Sequence, residues 1–167
     1  MLWGNLLWIV FLLILQIGLF SSLKLFGVKP DLLLIFVVLE GLYRGTVRGA
    51  QVGLLAGFMQ GIISGRFLGM FALAKAISGY FAGLLTMKFF RESIYIPLLA
   101  VWTATIVHEL VVWAILRIFH PSGEAYGFVA SLFNIILPTA VYNTLLTPVL
   151  YYIRYKKVNE NLLVKED

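Results

Sequence analysis

The sequence predicts an all-α membrane bundle of about six transmembrane helices, and three observations carry that prediction. Of the 167 residues, 61% are hydrophobic and 13% charged, against a charged share of about 25% in ordinary soluble domains. Mean hydropathy is +0.95, so polar surface is too scarce for a water-exposed exterior and the bilayer must serve as solvent. The apolar residues also come in unbroken blocks, not in the alternating segments of about ten residues that build outer-membrane barrels. A crossing takes roughly 20 helical residues, which leaves room for at most about six short-looped spans. The expected organisation is one transmembrane domain over residues 1–153 and a short polar tail over 154–167.

The first apolar run, Leu6 to Phe20, has no Lys or Arg ahead of it and no small-x-small site before Ser21-Ser22. It therefore reads as a permanent span and not a cleaved signal, with Trp3 and Trp8 placed for the headgroup region. The second run, Pro30 to Tyr43, opens on Pro30-Asp31: proline lacks the amide that a helix start would orphan, and a carboxylate suits the positive end of the dipole. At about 21 Å against a hydrocarbon core of about 30 Å, this helix is expected to be short, tilted or partly re-entrant. The third run, Thr46 to Ser64, and the fourth, Phe67 to Met87, are separated by Gly65-Arg66 and form a helical hairpin. The fifth, Ile94 to Phe119, follows the polar Lys88 to Ser93 linker, and the sixth, Phe128 to Tyr152, follows His120 to Glu124.

Orientation follows from the basic residues. With six spans and a cytoplasmic N-terminus, Arg44, Arg48, Lys88, Arg91, Arg154, Lys156, Lys157 and Lys165 lie inside, whereas Lys24, Lys29, Arg66 and Arg117 lie outside. If the second helix fails to cross, Lys24 and Lys29 move inside and the charge bias sharpens, so charge counting by itself favours five spans. Both versions place the C-terminus in the cytoplasm. The net charge of +5 is assigned to anionic headgroups; without a dense basic run carrying interleaved aromatics, nucleic acid is not an expected partner. The absence of cysteine excludes disulfides, thiolate metal sites and a cysteine nucleophile.

One pattern stands out. Glycine recurs every fourth residue at Gly41, Gly45, Gly49, Gly53, Gly57, Gly61, Gly65 and Gly69. Each step turns a helix by about 400°, so the glycines trace a slowly winding groove, of the kind that lets backbones approach closely in lipid. The expected use is packing of the third helix on the fourth, which has its own Gly79 and Gly83; a groove for a partner's helix and a substrate-lining surface are the alternatives.

The intramembrane polar residues are the other candidates. His108-Glu109 sits in mid-span, where an unpaired charge costs about 2.5–3.5 kcal/mol. Adjacent helical residues point about 100° apart, which argues against the two acting on one atom, and without a second His at i+4 there is no zincin-type site. A structural polar pair is the expectation, with partner or lipid contact and chemistry as alternatives. In the sixth helix Pro138 and Pro148 permit kinks, and Asn143 is a candidate cross-link to another helix. Glu40 and Lys75 stand as lone charges that can snorkel or pair. No nucleophile elbow is present, and neither an enzymatic activity nor a cofactor or metal is expected.

Several of these segments are familiar together: Lys29 to Leu34 (KPDLLL), Gly53 to Gly65 (GLLAGFMQGIISG), Leu68-Gly69, and Leu137 to Asn143 (LPTAVYN). In order and spacing, over nearly the whole chain, the sequence resembles the MreD family of the bacterial rod-shape system. That family often carries an acidic residue in the glycine segment where this chain has Gly61, so no role of that carboxylate transfers. Pro30, Asp31, Gly53, Gly57, Gly65, Gly69, Pro138 and Asn143 match as helix-start, packing and kink positions. The resemblance implies a non-catalytic, multi-pass component of the inner membrane that binds MreC. It further implies help in linking MreB filaments to the peptidoglycan polymerase RodA and its transpeptidase, and a fold similar to the substrate-binding S components of energy-coupling-factor vitamin transporters. A transporter subunit of that kind is the alternative function. Membrane lipid and a second copy of the chain are further expected contacts.

Overall fold

The computed structural model describes residues 2–18, 27–65, 68–86, 95–119 and 127–153. Six helices follow one another: α1 (Leu2–Gly18), α2 (Leu32–Arg44), α3 (Thr46–Ser64), α4 (Leu68–Thr86), α5 (Tyr95–Phe119) and α6 (Phe128–Tyr151), the last including a π-helical turn at Leu132–Ile136. The third helix has the predicted bounds at both ends. The first begins earlier than its apolar run, at Leu2, and the second begins two residues later than predicted because Asp31 caps it from outside. The Ser21-Ser22 segment, Lys24, Arg66, the linkers Lys88 to Ser93 and His120 to Glu124, and the tail 154–167 lie outside the described residues.

The short second helix is the hub. Every residue from Leu32 to Leu42 is buried, because α2 packs against all five other helices. A helix that is apolar on every side belongs in an interior, and 13 residues suffice for an element that meets protein instead of lipid around its whole circumference. The peripheral helices keep apolar side chains outward: Leu7, Phe11 and Ile14 on α1, and Leu54, Phe58 and Ile62 on α3, are exposed. Trp8 near the start of α1 also packs inward. Its ring stacks on Phe36 of α2 at 6.5 Å and meets Phe11 edge-on at 5.8 Å, so its apolar body serves the core.

Helices α3 and α4 form the tightest pair, antiparallel, with Gly49 opposite Gly79, Gly53 opposite Lys75 and Ala76, and Gly57 opposite Phe71 and Ala72. A Cβ on any of these three α3 glycines would collide with α4 backbone, and one on Gly83 would collide with the backbone at Thr46. Gly41 of α2 meets Gly79 in the same way, so three backbones converge there. Dispersion between closely approaching backbones replaces the hydrophobic force that lipid does not supply.

The ladder does not remain one groove to its end, which corrects the expectation for its last members. Gly61 is buried, but Gly65 adopts φ +61° as the left-handed C-cap of α3, and Gly69 faces open space. Once the helix stops at Ser64, a four-residue period no longer selects one face, so Gly65 serves the turn and Gly69 packs against nothing described. Gly45, with φ +90°, likewise lies between helices and turns α2 into α3 without a longer loop, a conformation that side-chain-bearing residues rarely adopt.

In α6, Pro138 cannot donate to the carbonyl of residue 134. The helix widens just before it, and the Leu137 amide reaches back five residues to the Leu132 carbonyl. The expected proline irregularity is thus expressed as a π-helical turn.

Gly53→Leu and Gly57→Leu should each destabilise the folded protein by about 1–3 kcal/mol or more, since a bulky side chain must separate closely packed backbones. Gly69→Leu should leave stability unchanged. Thermal unfolding in detergent measures both, and equal melting temperatures across the three variants would refute the packing assignment.

Candidate functional site

The polar residues of the interior converge on the start of α2. Asp31 is its N-cap, and the carboxylate Oδ1 accepts the Leu34 amide at 2.9 Å, satisfying one of the orphan donors of the first turn. The other oxygen, Oδ2, takes an ion-paired hydrogen bond from Lys75 Nζ of α4 and faces His108 Nε2 of α5 at 3.8 Å. Lys75 is wholly inaccessible and His108 nearly so. Burial of this kind is tolerated when each charge is paired and its remaining hydrogen-bonding positions are filled.

Asn143 of α6 completes the ring. Its Oδ1 accepts the Asp31 amide at 2.8 Å, its Nδ2 donates to Thr105 Oγ1 of α5 at 3.2 Å, and its carbonyl accepts from Thr147 at 2.8 Å. Ser78 of α4 donates to Ala74 O in its own helix and to Ala104 O of α5. Helices α2, α4, α5 and α6 are thereby joined by hydrogen bonds and ionic contacts around one residue, Asp31. A smaller cluster pins α1 to the far end of α2: Glu40 receives Asn5 Nδ2 at 3.1 Å and Arg44 Nε at 3.2 Å.

Beside the ring lies a cavity of about 540 Å³, bordered among others by Gln16 of α1, Gln60 of α3, Asp31, His108, Glu109 and Thr139. His108 and Glu109, adjacent in sequence, divide between the two features. His108 turns Nε2 to Asp31, whereas Glu109 lies on the cavity wall and makes no hydrogen bond or ion pair among the described residues. Only the histidine therefore plays the structural polar role expected of the pair. Among the described residues there is no group of three or more His, Asp or Glu side chains placed to hold a metal.

Of the candidates from sequence, Asp31, His108 and Asn143 meet in one cluster, with Pro30 buried just before the cap and Pro138 one turn from Asn143. Gly49, Gly53 and Gly57 lie on the α3–α4 seam that delivers Lys75 to the cluster, and Gly61 is buried farther along the same helix. Sequence reasoning missed Lys75 as the partner of Asp31 and missed Gln16 and Gln60 altogether. The signal for Lys75 was present: a lysine in the middle of an apolar helix needs an acid. Asp31, Glu40 and Glu109 were all available, and nothing local distinguished among them.

This is a helical membrane protein held together from inside by polar contacts, with α5 and α6 each long and apolar enough to cross a bilayer. The chain belongs to the rod shape-determining protein MreD family, whose model matches residues 2–159. No curated protein and no solved structure matches it.

Asp31→Asn or Lys75→Met alone should cost roughly 3–5 kcal/mol, because either leaves a buried charge uncompensated. The double variant should lose clearly less than the sum of the two. A double-mutant cycle by chemical denaturation measures the coupling, and strict additivity would show that the pair is not energetically linked.

Proposed function

We propose that this chain is a non-catalytic component of the bacterial rod-shape machinery, which binds MreC in the inner membrane and helps couple MreB filaments to peptidoglycan synthesis by RodA and its transpeptidase. The observation that carries the reading is the family match over residues 2–159. The geometry is in keeping with it. Asp31, Lys75, Thr105 and Asn143 are engaged in joining helices, and the outer faces of α1 and α3 present leucine, isoleucine and phenylalanine for lipid or for a partner's helix. We further propose six crossings with both termini in the cytoplasm. Two pairs run antiparallel: in α1 and α2, Asn5 meets Glu40 while Gln16 shares a cavity with Asp31, and in α3 and α4, Gly49 meets Gly79 while Gly57 meets Phe71. The basic residues Arg154, Lys156, Lys157 and Lys165 follow α6, and such a cluster favours the cytoplasmic side.

The cavity is the one feature favouring the second reading, a substrate-binding subunit similar to the S components of vitamin transporters; its volume is that of a small-molecule pocket.

Depletion in a rod-shaped host should give rounded cells, restored to normal width by the wild-type gene, and MreC should co-purify with the tagged protein. A C-terminal reporter should signal from the cytoplasm. Normal rods after full depletion in a host without a second copy would refute the assignment, and a vitamin recovered in place of MreC would establish the transporter reading.

A further inference from the structure

The lining of the cavity beside the Asp31 cluster includes buried hydrogen-bonding atoms that nothing among the described residues satisfies. Three buried side-chain atoms lack a hydrogen-bond partner among the described residues: Gln16 Oε1, Gln60 Oε1 and His108 Nδ1. All three residues border this one cavity, although they come from α1, α3 and α5. Buried polar groups without partners are rare and costly, so three on one void mark a place where something else supplies the bonds.

Their chemistry has one sign. Both glutamine atoms are carbonyl oxygens. With its hydrogen on Nε2, the nitrogen 3.8 Å from the Asp31 carboxylate, the neutral imidazole of His108 carries its lone pair on Nδ1. Glu109, a fourth acceptor, adds a carboxylate with no ion pair among the described residues. The two other charged residues of the lining are already engaged: Asp31 is held by Lys75, and exposed Lys29 has an interaction of its own. What these four groups lack is therefore hydrogen-bond donors and one positive charge.

We propose that this cavity binds a primary ammonium group, whose three N–H donors and single charge match three neutral acceptors and one carboxylate. A volume of about 540 Å³ accommodates the alkyl body that carries such a group and lies within the usual range for ligand pockets, about 300–1,000 Å³. Two sources offer this chemistry to a membrane protein: a free alkylamine, and the headgroup of phosphatidylethanolamine. The site is independent of the MreC reading, because the polar groups it rests on, Gln16, Gln60, His108 and Glu109, are not among the outward apolar side chains.

The test uses the full-length purified protein and two probes. The first is 1,5-diaminopentane, followed by calorimetry and thermal shift in detergent, with pentane-1,5-diol as the uncharged control. The second is reconstitution in nanodiscs of phosphatidylethanolamine or of phosphatidylcholine, whose quaternary ammonium has no N–H donor. Saturable binding of the diamine but not the diol identifies a soluble amine as ligand. Stabilisation confined to phosphatidylethanolamine identifies the lipid headgroup. In either case Glu109→Gln should weaken the response about tenfold or more, and Gln60→Leu should weaken it by a smaller factor, each judged on monodisperse protein. If Glu109→Gln does not fold, the Gln60→Leu and Gln16→Leu variants carry the same comparison. Equal responses to diamine and diol, equal stability in both lipids together with no diamine binding, or full retention of binding in the variants would each overturn the proposal and leave the cavity to water.

Discussion

The contact between Asp31 and Lys75 is the constraint on which the rest of the interior depends. Each charge is affordable at membrane depth only because the other is there, and each is delivered by a different part of the chain. Asp31 must stand at the exact start of α2, where it also caps the helix, and Lys75 must come from the middle of α4. Asn143 of α6 then accepts the Asp31 backbone amide, and His108 of α5 faces the carboxylate. Displacing any of these helices along its axis by a turn, about 5.4 Å, would separate the charges, so the pair sets the register of the bundle as well as contributing to its stability.

The glycine seam makes that pairing geometrically possible. Because Gly53 lies against the backbone at Lys75, α4 sits close enough to the centre for the lysine to reach the cap of α2 without leaving the protein. Gly41 and Gly79 bring α2 to the same junction. Close backbone packing and the ionic contact are thus one arrangement seen at two levels: small residues draw three helices together, and the polar atoms fix how far along one another they slide. The central helix, with no face toward lipid, can be short, which also resolves why a run of Pro30 to Tyr43 falls below the length of an ordinary span.

Such an architecture suits a protein whose family is defined by a role in rod shape. An interior joined by polar contacts, with lipid-compatible outer faces, fits the proposed assembly role, and the cavity beside Asp31 gathers the otherwise unsatisfied groups of α1, α3 and α5 where the proposed amine would bind. These two features occupy different parts of the molecule and call on different forces: dispersion along the outer helices, and charge-assisted hydrogen bonding within the cavity.

The sequence by itself determined the helical class, the positions of all six helices to within a few residues, the placing of Asp31 at the start of α2 and the α3–α4 packing. These follow from hydropathy blocks, cap chemistry and a four-residue glycine period, all of them local in the chain. The tertiary structure alone decided which charges pair, that Glu40 belongs with Asn5 and Arg44 while Lys75 belongs with Asp31, and that His108 and Glu109 part company. It also decided that Gly65 and Gly69 leave the seam, and that Gln16 and Gln60 share a cavity with Glu109. The physical reason is that helical periodicity states which face a residue occupies but not which helix lies opposite. Pairing across 44 residues, as for Lys75 and Asp31, is settled only when the backbones have packed.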